Sequence, residues 1–166
     1  TFTSRSTVQH AVRMRSPGVQ ASSGQNLQPW SFVLISAQEH KEWFRQRYAN
    51  AIESRMRISK ADIESGHKNI HPDMKAVFYQ IEHMHEFPYV LLVCGKRDWP
   101  FKVPEEQRVG LAPPNFGAVY PCVQNILLAA RALGLGASLT TMHQMLEDEI
   151  HAYYKIPTDH GLVATI

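Results

Sequence analysis

Apolar and polar positions along the chain alternate between helical and extended spacing. Val8, Ala11 and Val12 recur at helical spacing behind Thr7, a candidate N-cap, and Ser16-Pro17-Gly18 should stop that first helix. Residues 21–29 are small and polar and predict a loop. Trp30 to Ile35 is a nearly continuous apolar run, the pattern of a central strand. Ser36, with Glu39 three residues on, has the form of a capping box opening a helix that runs to about Arg57. Trp43, Phe44, Tyr48 and Ile52 form its inward stripe. Residues 58–86 are polar and rich in histidine, with a second helix from Asp73 to Met84 burying Met74, Val77, Phe78 and Ile81. Pro88 to Cys94 is a second core strand.

Residues 98–118 carry several prolines and glycines and predict a long loop, a common place for function. Val119 to Leu133 is the most apolar helix, and Gly134 should end it. Ala137 to Thr141 is a short strand or turn, Met145 to Tyr154 a helix broken by Lys155-Ile156-Pro157, and Leu162 to Ile166 a last strand. Strands alternating with helices, with most segments apolar enough for burial, define a single α/β or α+β layered domain over residues 1–166.

The 166 residues are 44% hydrophobic and 19% charged, enough for a sizeable core. Seventeen basic against fifteen acidic residues give a net charge of +2, which argues against nucleic acid as the partner. No apolar run approaches the ~18 residues of a membrane span. Cys94 and Cys122 read as free thiols in a reducing compartment, which points to the cytoplasm. The chain opens at Thr1 without a signal-peptide pattern and closes inside a strand-like run, so it reads as part of a longer sequence.

Four constellations could carry chemistry. Ser22 to Trp30 gathers two hydroxyls, two Gln carboxamides and an Asn just before a buried strand. It is either a polar loop feeding that strand or a ligand loop for a heterocycle whose polar edges need partners once water is excluded. Gln124 to Gly136 is a core helix with a glycine stop, whose Ala129 and Ala130 would let another helix approach. Leu139-Thr140-Thr141 follows it. Arg13-Met14-Arg15-Ser16 is either a solvated helix face or a phosphate grip, arginine forks matching such oxygens. His83 and His85, with His67 and His71, form the one histidine cluster, but the i, i+2 pair does not share a helix face. No Gly-rich turn follows the first strand, which disfavours dinucleotide and P-loop folds.

Two segments together resemble the nitroreductase family of FMN-dependent enzymes. The family pattern Pro-Ser-x-x-Asn-x-Gln-Pro-Trp, followed by an apolar strand, is similar to Ser22 to Ile35. Its later helix, close to Gln-Asn-Leu-Leu-Leu-Ala-Ala-x-x-Leu-Gly-Leu-Gly, is similar to Gln124 to Gly136, about a hundred residues on. Tyr154 to Pro157 and the last strand resemble the family's closing segment. Ser22 replaces the family's Pro, Arg13-Met14-Arg15-Ser16 matches only part of its Arg-Arg-Ser-x-Arg opening, and the stretch from Ser16 to Ser22 is shorter than the family's by about a helix. The family's Gly-Tyr-Pro continuation and late basic residue would lie beyond Ile166.

The resemblance implies an α+β layered sandwich, a mostly antiparallel sheet flanked by helices, in an intertwined homodimer with FMN in the interface. It implies cofactor contacts from Ser22, Ser23, Gly24 and Asn26 of one subunit, from Arg13, Arg15 and Ser16 of the other, and from Gln28. Leu139, Thr140 and Thr141 would lie near flavin N5 and O4. NADPH or NADH would deliver hydride to N5, and a nitroaromatic, quinone or related small acceptor would then collect it in a ping-pong cycle, with no catalytic side chain required. A reductive dehalogenase, a flavin-cleaving branch and a non-enzymatic flavin-binding or cofactor-free dimer are the alternatives. Residues 58–86 and 99–118, with Phe78, Tyr79, Trp99 and Phe101, are the candidate lids.

Overall fold

The structure is a computed structural model and describes Arg13 and residues 15–57, 60–65, 73–98, 104–110, 112 and 114–166. Thr7 to Val12, His67, His71, Trp99 and Phe101 lie outside the described residues. The chain forms two compact units, one from Thr1–Leu34 and Leu91–Ile166, the other from Ile35–Val90.

The first unit is built on three strands, β1 (Trp30–Ile35), β2 (Val90–Lys96) and β3 (His160–Thr165), in the order β1-β2-β3. β2 and β3 are antiparallel. Leu92 faces Thr165, Gly95 faces Gly161 and Lys96 faces His160, with a register shift between Val93 and Cys94. The outer side of β3 takes a single bridge from Thr140 to Thr165. β1, expected to be central, instead flanks β2 among the described strands, and its four middle residues are only half-buried. A continuous apolar run reports cover on both faces of a strand, not neighbours on both edges.

Arg13 and residues 15–18 are helical, so Pro17 and Gly18, expected as helix breakers, still belong to the helix. It closes with Val19 N–H on the Arg15 carbonyl at 3.0 Å. Gly18 is required by packing, since a Cβ there would fall 2.7 Å from Ile126 Cγ1. Ile126 belongs to the long helix Phe116–Ala132, which packs on β3 through a stripe that includes Ala118, Val119, Cys122, Val123, Ile126 and Ala130. The helix starts three residues before the expected Val119, capped by the Asn115 side chain, which accepts the Ala118 N–H. Pro121 sits inside it on the exposed side. Gly134, at φ 77°, ends it as expected, with Leu135 N–H on Ala130 O and Gly134 N–H on Arg131 O. A 3-10 turn, Met142–Leu146, then leads into helix Glu147–Tyr154.

The second unit holds helix Gln38–Met56, helix Lys60–Glu64, helix Asp73–His83 and the 3-10 turn Met84–Glu86. Phe44, Tyr48 and Ile52 are fully buried, while Trp43 is half-buried beneath the Arg47 guanidinium. Met74 and Ile81 are buried as expected, Val77 and Phe78 only half so. The expected capping box does not form. Ala37 is the N-cap residue and no side chain caps the helix, so Ser36 stands one position too early. Lys41 is buried and donates to the carbonyls of His85 (3.1 Å) and Phe87 (2.7 Å). Burial lowers its pKa from the usual lysine value.

Candidate functional site

The loop before β1 is locally strained and bonded to itself. Gln25, Asn26 and Gln28 have φ of 51°, 55° and 47°, a left-handed conformation that costs about 1–2 kcal/mol per non-glycine residue. Ser23 Oγ accepts the Gln28 N–H at 2.9 Å, and Gln28 Nε2 donates to Asn26 Oδ1 at 3.2 Å. Asn26 N–H returns to the Ser23 carbonyl. Beyond the loop, Pro29 and Trp30 are buried, and the Pro29 carbonyl accepts the Lys96 N–H at 2.7 Å. The strain is thus held by a buried anchor and a closed set of hydrogen bonds. Backbone outliers of this kind concentrate where a ligand is met.

Two depressions flank the N-terminal helical segment. One, of about 470 Å³, is lined by Arg15, Val19, Gln28, Trp30, Ser31 and Phe32, with the Arg15 guanidinium 5.8 Å from the Phe32 ring centre. The other, of about 830 Å³ and mostly apolar, is lined by Arg13, Ser16, Pro17, Gln20, Asn125, Leu128, Ala129 and Ala132. Asn125 Nδ2 donates to the Pro17 carbonyl at 3.2 Å and ties the two helices together there.

The residues singled out from sequence therefore fall in separate places. Arg15 and Gln28, both expected to touch the cofactor, line one depression of a single chain. Arg13 and Ser16 line the other. Ser22, Gly24 and Asn26 stand exposed on the loop, and Ser23 is half-buried beneath it. Leu139, Thr140 and Thr141 line neither depression. Thr140 is engaged at β3, its Oγ1 also accepting the Met142 N–H at 3.3 Å. A strand pattern carries no sign of which face stays open, so Ser31 and Phe32 are not legible as lining residues, and Gln20 stands in a turn with no motif around it.

The thiols supply no nucleophile. Burial pushes Cys94 and Cys122 up to about 11, so both stay protonated near neutral pH. Among the described residues no three His, Cys, Asp or Glu side chains are placed to hold a metal ion. His83 stacks on the exposed Tyr79 at 4.1 Å and lies 3.1 Å from Glu86 Oε1.

The nitroreductase family model matches residues 5–166. The chain belongs to the nitroreductase family, a family of oxidoreductases. Solved structures share its fold at low identity. Iodotyrosine deiodinase, crystallised oxidised with FMN and 3-iodo-L-tyrosine, is 18% identical with a TM-score of 0.60, over 95% of this chain and 75% of that one. A BluB-like flavoprotein from Clostridium difficile 630 is 21% identical at 0.59, over 95% and 77%. A nitroreductase-like family protein from Bacillus cereus is 12% identical at 0.60, over 95% and 71%. No curated protein matches the chain. The helices and the antiparallel β2–β3 pair follow the α+β expectation. Among the described residues no helix is long and apolar enough to cross a membrane.

Proposed function

We propose that this chain is an FMN-dependent NAD(P)H oxidoreductase, a homodimer in the cytoplasm, that reduces a nitroaromatic, quinone or related small acceptor. The observation that carries the reading is the strained, self-bonded loop placing Gln28 beside Arg15 over an aromatic floor of Trp30 and Phe32. That donor set suits the cofactor: a guanidinium for phosphate, carboxamides and hydroxyls for ring carbonyls and nitrogens, and aromatic faces for the apolar body. FMN, when bound, supplies the ability to take up hydride and pass electrons on.

The chain's own residues bind and orient. Arg15 would hold the phosphate beside Gln28, and Arg13 and Ser16, which line the other depression, would meet a phosphate only in the assembled dimer. Ser22, Ser23, Asn26 and Gln28, with the Gly24 backbone, pair with the polar ring edge. Ser23 already accepts the Gln28 N–H, and its own hydroxyl proton is available to donate. Leu139, Thr140 and Thr141, which line neither depression, would approach the flavin only in the assembled dimer, where a threonine hydroxyl would offer it a hydrogen-bond donor. The buried, protonated thiols fit a chemistry that needs no protein nucleophile.

The test is the visible spectrum of the purified protein before and after FMN loading and desalting, followed by NADPH or NADH under argon. Flavin bands that stay with the protein and bleach on adding the nicotinamide support the reading. Bands that stay but do not bleach point to a flavin-binding dimer without this activity. No retained flavin at saturating FMN overturns the proposal.

A further inference from the structure

Gly95 and Gly161 face each other across the antiparallel β2–β3 pair and leave a patch of sheet without side chains. Pro114 sits on this patch. A Cβ on Gly161 would fall 2.3 Å from Pro114 Cγ and 2.7 Å from Arg97 Cζ, and one on Gly95 would lie 3.3 Å from Pro114 Cβ. The seat admits Pro114 and the Arg97 guanidinium together because position 161 is glycine, whereas a Cβ on Gly95 would first meet Val119 Cγ2 at 3.0 Å and Val163 Cγ2 at 3.1 Å.

Arg97 then reaches in two directions. Nη1 donates to the Ala112 carbonyl at 3.2 Å, and Nη2 donates to Glu147 Oε1 at 2.6 Å. Glu147 Oε1 also accepts the Leu162 N–H at 3.0 Å, and His151 Nε2 lies 3.6 Å from it. Arg97 Nε is buried without a hydrogen-bond partner, so the guanidinium is held by its two ends. The Asn115 N–H closes the arrangement on the Lys96 carbonyl at 3.3 Å.

We propose that Arg97 is a clasp that pins the segment entering helix Phe116–Ala132 onto the glycine seat, and that releasing it frees Ala112, Pro114 and Asn115 without opening the sheet. Glu147 holds the clasp from the far side, on a helix that follows the pinned segment by some thirty residues. The planar guanidinium fork is essential, since a lysine ammonium cannot span a carbonyl and a carboxylate in this geometry. The device stands whether or not the chain binds flavin.

Amide hydrogen exchange tests it, comparing the full chain with Arg97→Lys and Gly161→Ala. Arg97→Lys keeps the charge opposite Glu147 and gives up the Ala112 arm. Gly161→Ala blocks the seat without changing a charge. Each is expected to raise exchange at Asn115 at least about tenfold while Leu92 and Val93 keep their protection. Unchanged exchange at Asn115 in Arg97→Lys overturns the clasp. So does an equal rise across β2, which would make Arg97 a pillar of the core. Should Gly161→Ala fail to fold, Arg97→Lys decides alone.

Discussion

His143 is fully buried, with Nδ1 3.2 Å from the Thr165 hydroxyl and Nε2 without a hydrogen-bond partner. Desolvation is the largest influence on it and lowers its pKa. In the unfolded chain the same ring titrates near ~6.5. Between the lowered native pKa and that value the unfolded state binds more protons, so stability rises with pH. The contribution is complete above about 6.5 and drains away as the pH falls toward the native pKa. Urea midpoints measured from pH 5 to 8 should therefore slope more steeply for the native chain than for His143→Gln, even though the variant starts less stable. Parallel slopes would mean that His143 is not the group responsible. Nothing at sequence level distinguishes this histidine from the other eight. Its burial follows from Thr140 pairing with Thr165 on one side of it and Leu146 entering the core on the other, both tertiary events. Lys41 is a like case: a lysine early in a helix reads as exposed until its two carbonyl partners in residues 85–87 are seen.

At the scale of elements, the helix Phe116–Ala132 shows which signals could be read and which could not. Its apolar periodicity and its Gly134 stop are sequence properties, and both hold in the structure. Its start was hidden because Gly117 closes a stretch of prolines and glycines, residues 98–118, that reads as a loop. Pro121 lies on the exposed face past the first turn, where it can donate no backbone hydrogen bond to the Gly117 carbonyl. The Asn115 cap is the local signal that marks the true start. Removing it as Asn115→Ala should cost about 1 kcal/mol, while Asn115→Ser should retain most of the stability. Thermal or urea unfolding of the two variants checks this, and an Ala variant as stable as the Ser variant would sink it. The opposite error occurred at Ser36 and Glu39, where a correct motif lies one residue out of register with a helix that Ala37 begins. Propensity located both helices; the caps had to be seen.

At the scale of the molecule, the motif segments were readable because their chemistry is local: Ser22 to Trp30 is a polar cluster against an apolar strand in any context. Their division among two depressions and the β3 edge was not readable, since it depends on how Gly18 and Asn125 seat the N-terminal helix on Phe116–Ala132. The proposed cofactor turns that division into a measurable difference. A ligand at a hundred times its Kd stabilises the native state by about 2.7 kcal/mol. For a chain of this length that is roughly a 5–10 °C rise in Tm. FMN and riboflavin share the ring and differ in the phosphate that Arg15 is assigned to hold. A charge-assisted hydrogen bond is worth about 1.5–3 kcal/mol, so at equal concentration FMN should raise Tm by several degrees more than riboflavin. Arg15→Ala should shrink that gap by lowering the FMN shift while leaving the riboflavin shift nearly intact, because Gln28 and the aromatic floor remain. Equal shifts for the two flavins in the native chain, or an Arg15→Ala variant with an undiminished gap, would remove Arg15 from the phosphate site and leave the loop alone to account for binding.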